Sequence, residues 1–186
     1  MSETFESSLG AGVQARPTMA DLVRDHYDAV YRFCVRRVGI DWASDAAQDT
    51  FLTAQRVYRN FRFESSVRTF LLGIANNECR TILRKRGSLH VQLQFVESNV
   101  SSECPEAQWI NRRVLSNALA SLSDEHREVV ILHEMEGLKY EEIAQVVGVP
   151  LGTVKSRLFH AFANLRAQLR GSESTQSGTE SAEGKA

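Results

Sequence analysis

Residues Tyr140 to Leu165, YEEIAQVVGVPLGTVKSRLFHAFANL, carry two apolar stripes at helical spacing with only Gly148, Val149 and Pro150 between them. The stretch from Tyr140 to Val147 predicts one short helix, and Val154, Leu158, Phe162 and Leu165 define the inner face of a second. Gly148 supplies the backbone freedom of a sharp turn, and Pro150 opens the helix that follows. Helices joined this closely must cross, with the small Ala144 at the crossing and Ile143 packed on Val154 and Leu158, which is a helix-turn-helix. The second helix turns Lys155, Ser156, Phe159 and His160 outward, with Thr153 and Lys155 in its first turn. A plain helical hairpin has no use for a basic, hydroxylated helix start. In this motif that end enters the major groove, so Thr153, Lys155, Ser156, Arg157, Phe159 and His160 are the candidate DNA contacts.

The rest of the chain also repeats at helical spacing. Leu22, Tyr27, Val30, Tyr31, Phe33, Cys34 and Val38 mark a first helix that stops near Gly39. A second is expected to begin at Asp41 or Ser44, both good N-caps, and to carry Phe51, Leu52, Gln55 and Tyr58. A third runs from about Ser66 to Arg86, with Val67, Phe70, Leu71, Ile74, Ala75, Ile82 and Leu83 on its stripe and Gly87 closing it. Between Gly87 and Pro105 the period changes to two, at Leu89, Val91, Leu93 and Phe95, with no second strand to pair. That segment is an extended linker. Helical spacing then resumes at Trp109, Leu115, Ala118, Leu119 and Leu122, and again from Val129 to Met135.

The expected architecture is all-α: two small helical domains joined by an extended linker, the second containing the helix-turn-helix. The expected divisions are a disordered start 1–18, a first domain 19–87, a linker 88–108, a second domain 109–170 and a disordered tail 171–186. Both ends are rich in Gly, Ser, Thr and Glu and have no apolar face to offset their ordering entropy.

A formal net charge of −1 argues at first against a nucleic-acid partner. Its distribution reverses that inference. From Arg56 to Arg86 eight basic residues face two acidic ones, a local excess of six. Asp41, Asp45 and Asp49 stand at helical repeats with Gln48 beside them, so the preceding helix has an acidic face that would repel DNA and suit a basic protein surface. Helix-dipole compensation explains acids in a first turn, but explains Asp49 poorly.

The segment SLSDEHREVVILHEMEGLKYEEIAQVVGVPLGTVKSRL resembles the fourth conserved region of the extracytoplasmic-function sigma factors of bacterial RNA polymerase. DAAQDTFLTAQRVY resembles their polymerase-binding helix and VRTFLLGIANNECRTILRKR their promoter-melting helix, in the same order. The resemblance implies that Asp45, Gln48 and Asp49 grip core RNA polymerase. It also implies that a promoter base of the −10 element is flipped into a pocket of the loop 60–66, with Phe61, Phe63, Glu64 and Ser65 as candidates. Arg68, Asn76, Asn77, Arg80 and Arg84 are expected to face outward along the opened strand, while the helix-turn-helix reads the −35 element. Where many relatives have Trp, a second aromatic and Arg, this chain has Phe70, Leu72 and His160. The expected partners are core RNA polymerase, promoter DNA and an anti-sigma factor.

A free-standing helix-turn-helix regulator is the alternative, although nothing before Tyr140 alternates strand with helix as its usual companion domain would. Catalysis has little support: the five histidines are scattered, and no phosphate loop or HExxH occurs. No metal or cofactor is expected. Cys34 and Cys79 read as buried small hydrophobes, and Cys104 falls in the linker. With no apolar run long enough to span a bilayer and no leader pattern, the expected location is the cytoplasm.

Overall fold

Thr18 starts the first helix of the computed structural model, which describes residues 16–86 and 115–176. Its hydroxyl accepts from the Asp21 N–H at 3.2 Å while the Asp21 carboxylate accepts from the Thr18 N–H at 2.9 Å. This reciprocal cap satisfies two otherwise orphaned donors of α1, Met19–Val38. The helix ends at Gly39, whose φ of 84° is open to glycine and costly for other residues. The second helix, α2, covers Ile40–Val57 and starts immediately, with Gly39 as its N-cap and no side-chain cap. The expected start at Asp41 or Ser44 is therefore corrected: one glycine both ends α1 and begins α2, which leaves no room for a capping side chain.

A 3₁₀ turn, Tyr58–Asn60, leads into the loop before α3, Val67–Arg86. Ser66 caps α3 by accepting from the Thr69 N–H at 3.0 Å. The three helices pack around Val30, Phe33, Cys34, Phe51, Leu71 and Leu72, all buried. Ala43, Ala46, Ala47 and Ala54 line the inner side of α2, and their small side chains let its backbone approach its neighbours. Cys34 and Cys79 are buried and free, and the hydrogen bond to Cys79 together with burial pushes the Cys34 thiol up. It stays a protonated, unreactive core residue.

In the second half α4 occupies 115–120, and the buried Arg127 donates to its last carbonyls, Leu119 O at 3.0 Å and Ala120 O at 2.9 Å, and to Leu122 O in the turn beyond it at 2.9 Å. The next helix, α5, Asp124–Val130, continues into a π-helical turn, Ile131–Met135, where Glu136 N–H donates to Ile131 O at 3.1 Å. Two further helices follow, α6 at Tyr140–Val147 and α7 at Leu151–Gln176. Gly148 between them has φ 75°, and Ile143, Val154 and Leu158 are buried at the crossing. The last helix runs six residues past Arg170, where the periodicity stops. The described residues are helical with no strand among them. The linker 88–108 with Leu89, Val91, Leu93 and Phe95, and also Gly87, Cys104 and Trp109, lie outside the described residues, as do residues 1–15 and 177–186.

Candidate functional site

Three surfaces carry the residues singled out by the sequence. On α2, Asp41, Asp45, Gln48 and Asp49 are all exposed. Gln48 also borders a groove of about 680 Å³ between α1 and α2, floored by Val23, Tyr27, Phe51 and Leu52. Helical periodicity assigns Tyr27 and Leu52 to the core, but both are exposed here, as is Val23. Of the predicted set only Gln48 lines the groove; the three aspartates stand in solvent on the same helix. The signal for the groove was an apolar stripe on α1 wider than one buried face needs.

The loop after the 3₁₀ turn folds its aromatic residues together. The Phe61 ring lies 4.3 Å from that of Phe70 and 4.7 Å from that of Phe63, between centroids. A cavity of about 600 Å³ opens beside them, walled by Asn60, Phe61, Glu64, Ser65 and Phe70, with Gln145 of α6 on its far side. Phe61, Glu64 and Ser65 therefore meet at one cavity. Phe63, with φ 58° and 47% exposed, packs on Phe61 but does not line the cavity.

On α3 the expected outward row is only partly outward. Asn77 and Arg84 are exposed, whereas Asn76 is 0% exposed and neither its amide oxygen nor its nitrogen has a partner. Arg68 and Arg80 reach the other domain. Arg68 bonds Glu136 Oε2 at 2.5 Å and the Glu136 carbonyl at 2.7 Å, and Arg36 bonds Glu136 Oε1 at 2.7 Å. Arg80 makes two 2.8 Å bonds to the Glu128 carboxylate and one of 3.1 Å to Val147 O, with the buried Arg37 at 3.4 Å from the same carboxylate. The Thr69 hydroxyl donates to Glu142 at 2.9 Å. Thr69, Gly73, Asn76 and Arg80 recur at steps of four, three and four along α3, a single helical face, and α6 packs against it.

The expectation that Arg68, Asn76 and Arg80 face solvent is thus corrected: Asn76 is buried, and Arg68 and Arg80, still partly exposed, are tied to carboxylates of the second domain. Neither Glu128 nor Glu136 was read as functional. Glu128 directly precedes the apolar run Val129 to Leu132, and Glu136 follows Met135, one turn later, which is the only signal either carries in the sequence. Burial pushes the Glu136 carboxyl up, against the pull of Arg36 and Arg68, and the two short contacts serve its ionised form.

The reading face of α7 is open. Lys155, Ser156, Phe159 and His160 are exposed, Phe159 at 68%, and Thr153 is half-buried. Ser156 also donates to Thr153 O at 3.0 Å. Arg157 departs from its expected role: its side chain is 17% exposed and pairs with Glu125 at 2.8 Å, tying α7 to α5.

Residues 22–89 match the family model of sigma-70 region 2, and residues 112–165 match that of sigma-70 region 4. Among curated relatives, the RNA polymerase sigma factor YlaC of Bacillus subtilis (strain 168) is 33% identical over 166 residues, covering 83% of this chain and 93% of the relative. The ECF RNA polymerase sigma factor SigE of Mycolicibacterium smegmatis is 36% identical over 172 residues, covering 88% of this chain and 66% of the relative. The sigma factor RpoE of Bartonella quintana, solved with the anti-sigma factor NepR, superposes with a TM-score of 0.63 at 28% identity, covering 80% of this chain and 94% of that one. The chain belongs to the extracytoplasmic-function sigma factors, alternative sigma factors that direct transcription initiation.

Proposed function

We propose that the chain binds core RNA polymerase through α2, holds an opened −10 strand with its loop and α3, and reads the −35 element of promoter DNA with α7. The observation that carries the strand assignment is the cavity walled by Phe61, Glu64, Ser65 and Phe70 at the head of a basic helix. Aromatic rings there can stack on an unpaired base, and guanidiniums along α3 can follow its phosphates. Asp45, Gln48 and Asp49 present acceptors beside an apolar groove, a combination suited to a basic amphipathic protein surface. Thr153, Lys155, Ser156, Phe159 and His160 form the reading face. The chain works in the cytoplasm, and no catalytic step is assigned to it.

In the arrangement described, Glu128 and Glu136 occupy the guanidiniums that a strand would use. A guanidinium fork engaged with a carboxylate is not available to a phosphate, so the domains must separate before Arg68 and Arg80 meet DNA. Asn76 supports this reading. A buried amide with no partner is costly, and separation would return it to water or to a base edge. An anti-sigma factor spanning the two domains is proposed as the inhibitor, by analogy with the solved RpoE complex.

An electrophoretic shift of duplex promoter DNA tests the proposal. The sigma reading requires a promoter-specific complex only when core polymerase is present. A specific shift by the chain alone would favour a free-standing regulator.

A further inference from the structure

Arg16 precedes α1 and belongs to none of the three surfaces, yet it is bound to the loop that carries the cavity. Its guanidinium donates to the carbonyls of Tyr58, Arg59 and Phe61, at 3.2 Å for each of the last two. The same group lies 4.4 Å from the centroid of the Tyr58 ring and 5.1 Å from that of Phe63. These carbonyls close the end of α2 and its 3₁₀ turn, where backbone acceptors lack intrahelical donors.

We propose that Arg16 is a positioning residue for strand capture: its fork fixes the backbone 58–61 and so sets Asn60 and Phe61 in the cavity wall. The inference rests on the reading of that cavity as the site of an unpaired base.

Two further observations support it. Phe63 is the one non-glycine among the described residues with a positive φ. A bulky residue persists in that region only where its surroundings hold it. The Phe63 ring lies against both the Arg16 guanidinium and the Phe61 ring, and the next two residues, Glu64 and Ser65, line the cavity. Arg127 closes the carbonyl end of α4 in the same way, but from within a core. Arg16 is exposed and holds a loop beside an open cavity.

The test uses the full chain bound to core polymerase and single strands of the promoter element, either intact or with one base removed at each position in turn. With the native chain, removal of the captured base should lower affinity about tenfold, the scale of one base stacked on an aromatic ring. Arg16→Ala should bring that ratio to about twofold, while core polymerase binding stays native. Arg16→Lys should recover only part of it, because one ammonium lacks the two-nitrogen fork that reaches all three carbonyls. An undiminished ratio in Arg16→Ala overturns the proposal. So does an equal loss on intact and abasic strands, which would make Arg16 a cap for the fold alone. Phe61→Ala separates the inference from its premise. If Phe61→Ala abolishes the ratio while Arg16→Ala keeps it, only the role of Arg16 fails. If both keep it, the cavity is not the base site.

Discussion

Lys155 stands in the early turns of α7 with its side chain in solvent, where the electrostatic advantage of a helix N-terminus and reach into a groove coincide. Replacing it with Ala should weaken promoter recognition by about 1–3 kcal/mol and relax preference at one or two positions, if its contact is with a base edge. A phosphate contact would instead weaken all sequences alike and reduce the salt slope by about one. Transcription from a randomised upstream box at two salt concentrations distinguishes these, and no change in either would remove Lys155 from the reading face. Exposure of single residues was legible where periodicity alone decides it, as at Lys155, Phe159 and Arg84. It was not legible at Asn76, Arg68 or Arg157. A polar residue on the outward face of its own helix looks solvated until another domain or helix, far along the chain, is laid over it.

Among the elements, α2 makes the most direct claim, because its two faces serve different partners. The inner face is rich in alanines and packs, while the outer one carries Asp45 and Asp49 in solvent, with Gln48 at the groove. Asp45→Arg combined with Asp49→Arg should abolish association with core polymerase while leaving helix content and thermal melting close to native, since both positions are exposed. Unchanged capture of core polymerase would reduce the acidic stripe to a solvated helix face. Helix spans were legible from apolar spacing and from Ser66 and Gly148 as punctuation, whereas Thr18, expected in a disordered start, caps α1. The start of α2 was missed because Gly39 serves two helices. The π-helical turn was missed because its extra residue leaves the spacing from Val129 to Met135 looking like ordinary helix.

At the scale of the whole molecule, two buried glutamates join the domains. Glu128 and Glu136 each meet two guanidiniums, and removing the carboxylate leaves buried Arg37 without a counter-charge. Breaking such a pair from one side costs about 3–5 kcal/mol, and here separation of the domains relieves that cost without unfolding either. Glu128→Gln with Glu136→Gln should therefore enlarge the radius of gyration in small-angle scattering and strengthen binding of opened promoter strand. An unchanged radius together with unchanged strand binding would mean that apolar packing between α3 and α6 holds the domains without the ion pairs. This clasp was beyond sequence reasoning because it pairs residues such as Arg36 and Glu136, one hundred positions apart.

As a sigma factor, this chain gives core polymerase a promoter preference that the core lacks alone. Purified chain and core polymerase should be incubated with genomic DNA of the source organism, and the 5′ ends of the transcripts sequenced. The start sites should share an upstream and a downstream element at constant spacing, absent with core polymerase alone and lost with the Asp45→Arg, Asp49→Arg chain. Start sites indistinguishable from those of core polymerase alone would contradict it.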